Sequence, residues 1–163
     1  MTRSATRSLW ITPSCVAMNV GAIMMLPAFS DTGSERASIT TLAEAASLSE
    51  GCLAVVQACA PPEPVPLGRI SAEAGRAAAD CIAWAARAAL RGEAVAVVTA
   101  PIHKEALSAA GVAHPGHTEY LQALAAEHLG VAIDRLPVRM MLSCPGLRTV
   151  LVSIHVALRD ALD

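Results

Sequence analysis

The chain has 163 residues, 54% of them hydrophobic but only 2% aromatic, and 12 Lys and Arg stand against 14 Asp and Glu. A formal charge of -2 provides no basic excess for nucleic acid, and a charged fraction of 16% with mean hydropathy +0.49 excludes a disordered chain. One domain fits this length, with a core of Ala, Val, Leu, Ile and Met rather than rings.

Residues 8–30 carry no charge, with Arg3 and Arg7 before them and Asp31 after. A basic start, an apolar middle and the small residues Ala28 and Ser30 resemble a secretory signal. Pro13, Asn19 and Pro27 interrupt that run. The preferred reading is a buried strand over 9–12, a loop and an apolar segment over 20–26, in a cytoplasmic protein with no membrane partner. A weak helix follows over 42–48 and a short strand over 53–56. Pro61, Pro62, Pro64 and Pro66 then make an extended connector. The expected layout is a weakly specified segment over 1–60, a connector over 61–66 and a better-specified α/β segment over 67–163.

The clearest helix is expected over 72–91. Ser71 suits its N-cap, Glu73 its first turn, Arg87 and Arg91 its last, and Gly92 a left-handed stop. Ala78, Ile82, Ala85 and Ala89 form an apolar stripe. Trp84 falls on the opposite face among Glu73, Arg76, Asp80, Arg87 and Arg91, as a lone exposed ring or as a contact with something outside the helix. Residues 94–98 read as a strand buried on both faces. Helices over 104–110 and 118–129 are stopped by Gly111 and Gly130. Strands over 138–143 and 148–153 are joined at Pro145-Gly146, which suits a type II turn. This alternation predicts an α/β fold, a mixed or parallel sheet with flanking helices.

The five cysteines include no C-x-x-C pair, and they read as buried apolar residues in a reducing compartment. No G-x-G-x-x-G or phosphate-loop glycine array occurs. In open α/β folds ligands gather beyond the carboxyl ends of strands. Two segments fit that rule: Thr99-Ala100-Pro101-Ile102-His103-Lys104 and Ser153-Ile154-His155-Val156-Ala157-Leu158-Arg159-Asp160. Between them Pro115-Gly116-His117-Thr118-Glu119 opens a helix whose free amides and dipole favour an anion. Plainer roles compete. His155 can cap its strand, and His117 and Thr118 can cap their helix. Lys104 can be a solvated first-turn lysine, although a cation there opposes the dipole. His103, His114 and His128 have no convincing partner.

Taken together, Leu67-Gly68-Arg69-Ile70-Ser71-Ala72-Glu73-Ala74-Gly75, Thr99-Ala100-Pro101 with Lys104, Ala110-Gly111, Gly116-His117-Thr118-Glu119, and His155 with Leu158-Arg159-Asp160 resemble the 4-hydroxythreonine-4-phosphate dehydrogenase family over residues 67–163. The resemblance implies a partial isocitrate/isopropylmalate-dehydrogenase-like fold and a homodimer with shared sites. It also implies NAD- or NADP-dependent oxidation of 4-phosphooxy-threonine, with decarboxylation to 3-amino-2-oxopropyl phosphate, in vitamin B6 biosynthesis. A divalent metal (Zn, Mg or Co) held by three histidines is implied as well. By residue matching His155 is the first metal ligand and His117 and Thr118 contact substrate, while Lys104 and Asp160 have a supporting electrostatic role. The family's opening I-T-x-G-D-P-A-G-I-G-P-E is echoed by Ile11-Thr12-Pro13, but Ser14 to Val20 lacks the acidic residue and the glycines. The sequence ends just after His155, before the family's other two histidines, its Lys-Asn-Arg phosphate group and most of its cofactor cleft. It therefore resembles the front half of such an enzyme, and an incomplete site is expected. Competing expectations are a related phospho-threonate, phospho-erythronate or cis-dihydrodiol dehydrogenase, a non-catalytic α/β remnant, and a secreted or membrane-anchored small protein.

Overall fold

The computed structural model describes residues 10–12, 36–49, 52–60, 68–94, 96–153, 156–157 and 159–162. Three short strands, β1 (Trp10–Thr12), β2 (Arg36–Ile39) and β3 (Leu53–Gln57), form a parallel sheet in the order β1-β3-β2. Register pairs Ile39 with Val56 and Ala37 with Ala54. Because side chains alternate across a strand, Ala54 and Val56 fall on one face of β3. They are buried there with Ile39, under Leu42, Ala45, Leu48 and Trp84.

That packing settles the place of Trp84. It is a half-buried contact between a helix and the sheet, not a lone exposed ring. Between β2 and β3 the weak helix expected over 42–48 is a six-residue 3-10 helix, Leu42–Ser47. So short a segment gains little from α-helical bonding. Its start is held by Glu44, which accepts from the Thr41 amide at 2.9 Å and the Thr40 hydroxyl at 2.6 Å. Those bonds hold the Glu44 carboxyl down at about 2.

The central element is α1, Ala72–Leu90. Ser71 Oγ accepts from the Ala74 amide at 3.2 Å, as an N-cap should. At the other end Gly92, at φ 78°, lets Glu93 N reach Ala88 O and Gly92 N reach Ala89 O. This paired closure satisfies carbonyls the helix leaves open. The stripe predicted one buried face, but eleven of the nineteen residues are buried. The helix is enclosed by the sheet and two further helices, α2 (Lys104–Ala109) and α3 (His117–Leu129). Its Ala-rich composition permits that, since small side chains let backbones approach on several sides. The closest approach is at Gly75, where an added Cβ would lie 2.0 Å from the Ala106 carbonyl oxygen. Arg76 on the same helix donates to the carbonyl of Ala110, closing the end of α2.

The strand expected over 94–98 does not form among its described residues, and Val98 is 61% exposed. An apolar run becomes a strand only where a neighbouring edge completes its hydrogen bonds. The last element is a hairpin of β4 (Met141–Cys144) and β5 (Leu147–Val150), shorter than expected. Gly146 at φ 86° follows Pro145 as a type II turn requires. Every residue of both strands is exposed, including Met141, Leu142, Leu147 and Val150.

The cysteines only partly follow their expected burial. Cys81 is fully buried, Cys52 and Cys59 are intermediate, and Cys144 is exposed on the hairpin. Cys59 and Cys81 are free thiols 3.9 Å apart, and burial pushes Cys81 up to about 12. The architecture is mixed α/β, with one small parallel sheet, one antiparallel hairpin and three α-helices among the described residues. No helix of the described residues is long and apolar enough to cross a membrane. Apart from 10–12, the uncharged run 8–30 lies outside the described residues, as does the connector 61–66.

Candidate anion site at the start of helix α3

Helix α3 begins at His117, and Tyr120 is its first residue with an amide bonded back into the helix, to Gly116 O at 3.2 Å. The amides of His117, Thr118 and Glu119 therefore stand outside the helical ladder, at the positive end of the helix dipole. Its N-cap, Gly116, has no side chain, and no side-chain cap hydrogen bond is made there among the described residues.

Two side chains meet at Gly116, which is buried. A Cβ built there would lie 3.4 Å from Glu119 Oε2 and 3.9 Å from Lys104 Cε. The 99–104 segment and the helix-opening loop thus converge. What seats Lys104 is the residue two before it: Ile102 packs against Cys81 and Ile82 and against Ala78, Ala79 and Leu107. Lys104 is exposed and makes no ion pair within 4 Å among the described residues. A free ammonium beside unbonded amides attracts an anion. The Glu119 carboxylate opposes it and must be outweighed, which favours a ligand that also offers hydroxyl or cationic groups.

His117 supplies a partner for such a group. Its ring is half-buried, and Nε2 is enclosed with no hydrogen-bond partner among the described residues. Burial lowers its pKa, so the imidazole is neutral at pH 7. A neutral ring nitrogen can pair with a substrate hydroxyl in either tautomer. Thr118, also half-buried, adds a hydroxyl in the same turn.

The third expected segment is only partly visible. His155 lies outside the described residues. Asp160 is exposed in a terminal turn, where its amide donates to Ala157 O at 3.0 Å. Among the described residues no hydrogen bond or ion pair joins its carboxylate to Lys104 or to α3. Nor do the described residues by themselves suit a metal ion, since no three His, Cys, Asp or Glu side chains cluster around one point. His114, which has no evident partner in the sequence, stacks on Tyr120 with ring centroids 5.3 Å apart and planes 19° apart. Glu119 was legible only as part of its motif; its place beside Lys104 follows from the α2–α3 arrangement.

These features describe an α/β protein with a lysine, a neutral imidazole and open amides at one helix end. Residues 14–163 match the family model for pyridoxal phosphate biosynthetic protein PdxA, and the chain belongs to that family. It is 44% identical over 119 residues to 4-hydroxythreonine-4-phosphate dehydrogenase of Beijerinckia indica, covering 73% of this chain and 33% of that protein. It is 38% identical over 130 residues to D-threonate 4-phosphate dehydrogenase of Salmonella typhimurium, covering 79% of this chain and 37% of that protein. A solved structure named 4-hydroxythreonine-4-phosphate dehydrogenase, from Burkholderia phymatum, superposes with TM-score 0.61 at 33% identity, covering 82% of this chain and 38% of that one. The chain therefore spans about a third of the length of the relatives it matches.

Proposed function

We propose that this chain provides the substrate-contacting front part of an NAD- or NADP-dependent dehydrogenase that oxidises a phosphorylated hydroxy acid. The preferred substrate is 4-phosphooxy-threonine, oxidised at its secondary alcohol and decarboxylated to 3-amino-2-oxopropyl phosphate. The second reading, D-threonate 4-phosphate, is favoured by the similarity to the Salmonella typhimurium enzyme. The observation that carries the proposal is the meeting of Lys104 with Gly116 at the open end of α3, beside the unpartnered Nε2 of His117.

In this reading the His117 to Glu119 amides and Lys104 hold the anionic group, and His117 and Thr118 bond to hydroxyl groups of the substrate. His155 is proposed as a ligand of a divalent ion (Zn, Mg or Co), which would supply Lewis-acid stabilisation of the reacting oxygen when bound. Asp160 is proposed only as a supporting charge. A partial isocitrate/isopropylmalate-dehydrogenase-like fold, a cytoplasmic location and a homodimer with shared sites complete the proposal. The exposed apolar side chains of the hairpin are consistent with burial against further protein.

The 163 residues contain one of the three metal-binding histidines that the resemblance implies, whereas catalytic metal sites use about three protein ligands. Expressed by itself, the chain should bind 4-phosphooxy-threonine with a Kd of roughly millimolar order, about -4 kcal/mol. It should form no measurable NAD(P)H. Calorimetry with 4-phosphooxy-threonine, D-threonate 4-phosphate and unphosphorylated threonine tests the binding. Lys104→Ala should weaken the phosphorylated ligands about tenfold. Equal binding of unphosphorylated threonine contradicts the proposal, and robust turnover lost in His155→Ala contradicts the ligand count.

A further inference from the structure

The loop leading into the anion site has few backbone hydrogen bonds among the described residues. Val112 N donates to Leu107 O at 3.0 Å, and among the described residues the next bonded backbone amide is that of Tyr120. Pro115 has no amide to offer. Within that stretch Gly116 is buried, and the His114 ring lies on Tyr120.

Tyr120 is a firm platform. It packs against Cys81 and Ile82, against Ala78, Ala79 and Leu107, and against Ala83, Ala86 and Leu124. It therefore touches the clusters that join α1 to both α2 and α3. His114 lies three residues before His117 and Tyr120 three residues after it. The stack closes a short clasp around Gly116 and His117, whose placement sets the spacing to Lys104.

We propose that His114 is a positioning residue of the anion site, acting through its stack on Tyr120 to fix Gly116 and the His117 ring. This rests on the functional reading above only for the ligand; the clasp itself is a property of the free protein. An aromatic ring at position 114 is what the geometry needs, because near-parallel stacking uses a flat face and no ring nitrogen. His114→Phe should keep the clasp, and His114→Ala should open it.

The test uses NMR of the 163-residue chain. In His114→Ala the ring and amide signals of His117, with the Gly116 and Thr118 amides, should shift or broaden, while amides in the middle of α1 stay in place. Affinity for 4-phosphooxy-threonine should fall about tenfold, the scale of one lost hydrogen bond to a charged group. His114→Phe should restore both readouts. If His114→Ala does not fold, the comparison is made with His114→Leu, which fills space without a ring and should behave as an opened clasp. Unchanged His117 signals in the ringless variant, or failure of Phe to restore them, overturns the proposal. If the wild-type chain binds no phosphorylated ligand, the functional reading fails instead, and the ligand-free signals still decide the clasp.

Discussion

Replacing Ile82 by Asp is expected to lower the urea denaturation midpoint severely, or to leave no cooperative unfolding transition, at 25 °C. Ile82 is 0% exposed, and Ala58, Cys59, Ile102, Tyr120 and Leu121 pack on its cluster with Cys81. No cationic group lies among those neighbours to pair with a carboxylate. An uncompensated buried charge costs about 4 kcal/mol or more, on top of the lost apolar burial. A domain of this size has a total stability of roughly 5–15 kcal/mol, and toward the lower end of that range the loss removes all of it. Ile82→Val is the control, with an expected cost of about 1 kcal/mol. Urea denaturation followed by circular dichroism distinguishes the two. An unchanged midpoint for the Asp variant would mean that this face of α1 is not the core.

The second large effect concerns Gly75. In an ordinary helix interior Gly→Ala stabilises by about 1 kcal/mol. Here the sign should reverse, because the new Cβ would sit 2.0 Å from Ala106 O and 2.4 Å from Ala106 C. Both partners are backbone, so neither can rotate away, and α2 must move off α1. The expected cost is about 3 kcal/mol, the upper range for overpacking. The displacement also carries Lys104, the first residue of α2, away from Gly116. Gly75→Ala should therefore weaken phosphorylated ligands as well as lower the denaturation midpoint. A variant more stable than wild type would contradict the described crossing of α1 and α2.

The features legible in the sequence are those decided locally. Ser71 and Gly92 bracket α1 because capping involves residues only a few positions apart, and Pro145-Gly146 fixes its turn for the same reason. The features that were not legible depend on partners distant in the chain. Periodicity showed the Ala78–Ile82 stripe but not that Ala74, Gly75, Ala83 and Ala88 also face neighbours. Trp84 lies among charged residues along the helix, yet the ring reaches the sheet cluster of Ile39, Ala54 and Val56. The apolar run at 94–98 has the composition of a strand, but composition supplies no edge to pair with. At the candidate site, the motifs around Lys104 and Gly116 to Glu119 stood out by type and spacing. The stack of His114 on Tyr120 did not, since it joins a loop to a helix across a break in periodicity.

The most direct test of the central claim is an NMR titration of the chain with 4-phosphooxy-threonine, following the histidine rings and the Gly116, His117 and Thr118 amides. In the free protein burial holds the His117 pKa below its ordinary value of 6.5. A bound anion favours the charged imidazole, so the midpoint should rise on saturation and binding should take up protons between the free and the bound midpoints. Lys104→Ala should require about tenfold more ligand to reach the same shift. The account predicts saturable changes centred on Gly116 to Thr118, with His117 titrating upward. Saturable binding that leaves these signals untouched, or no response to any phosphorylated ligand, would contradict it.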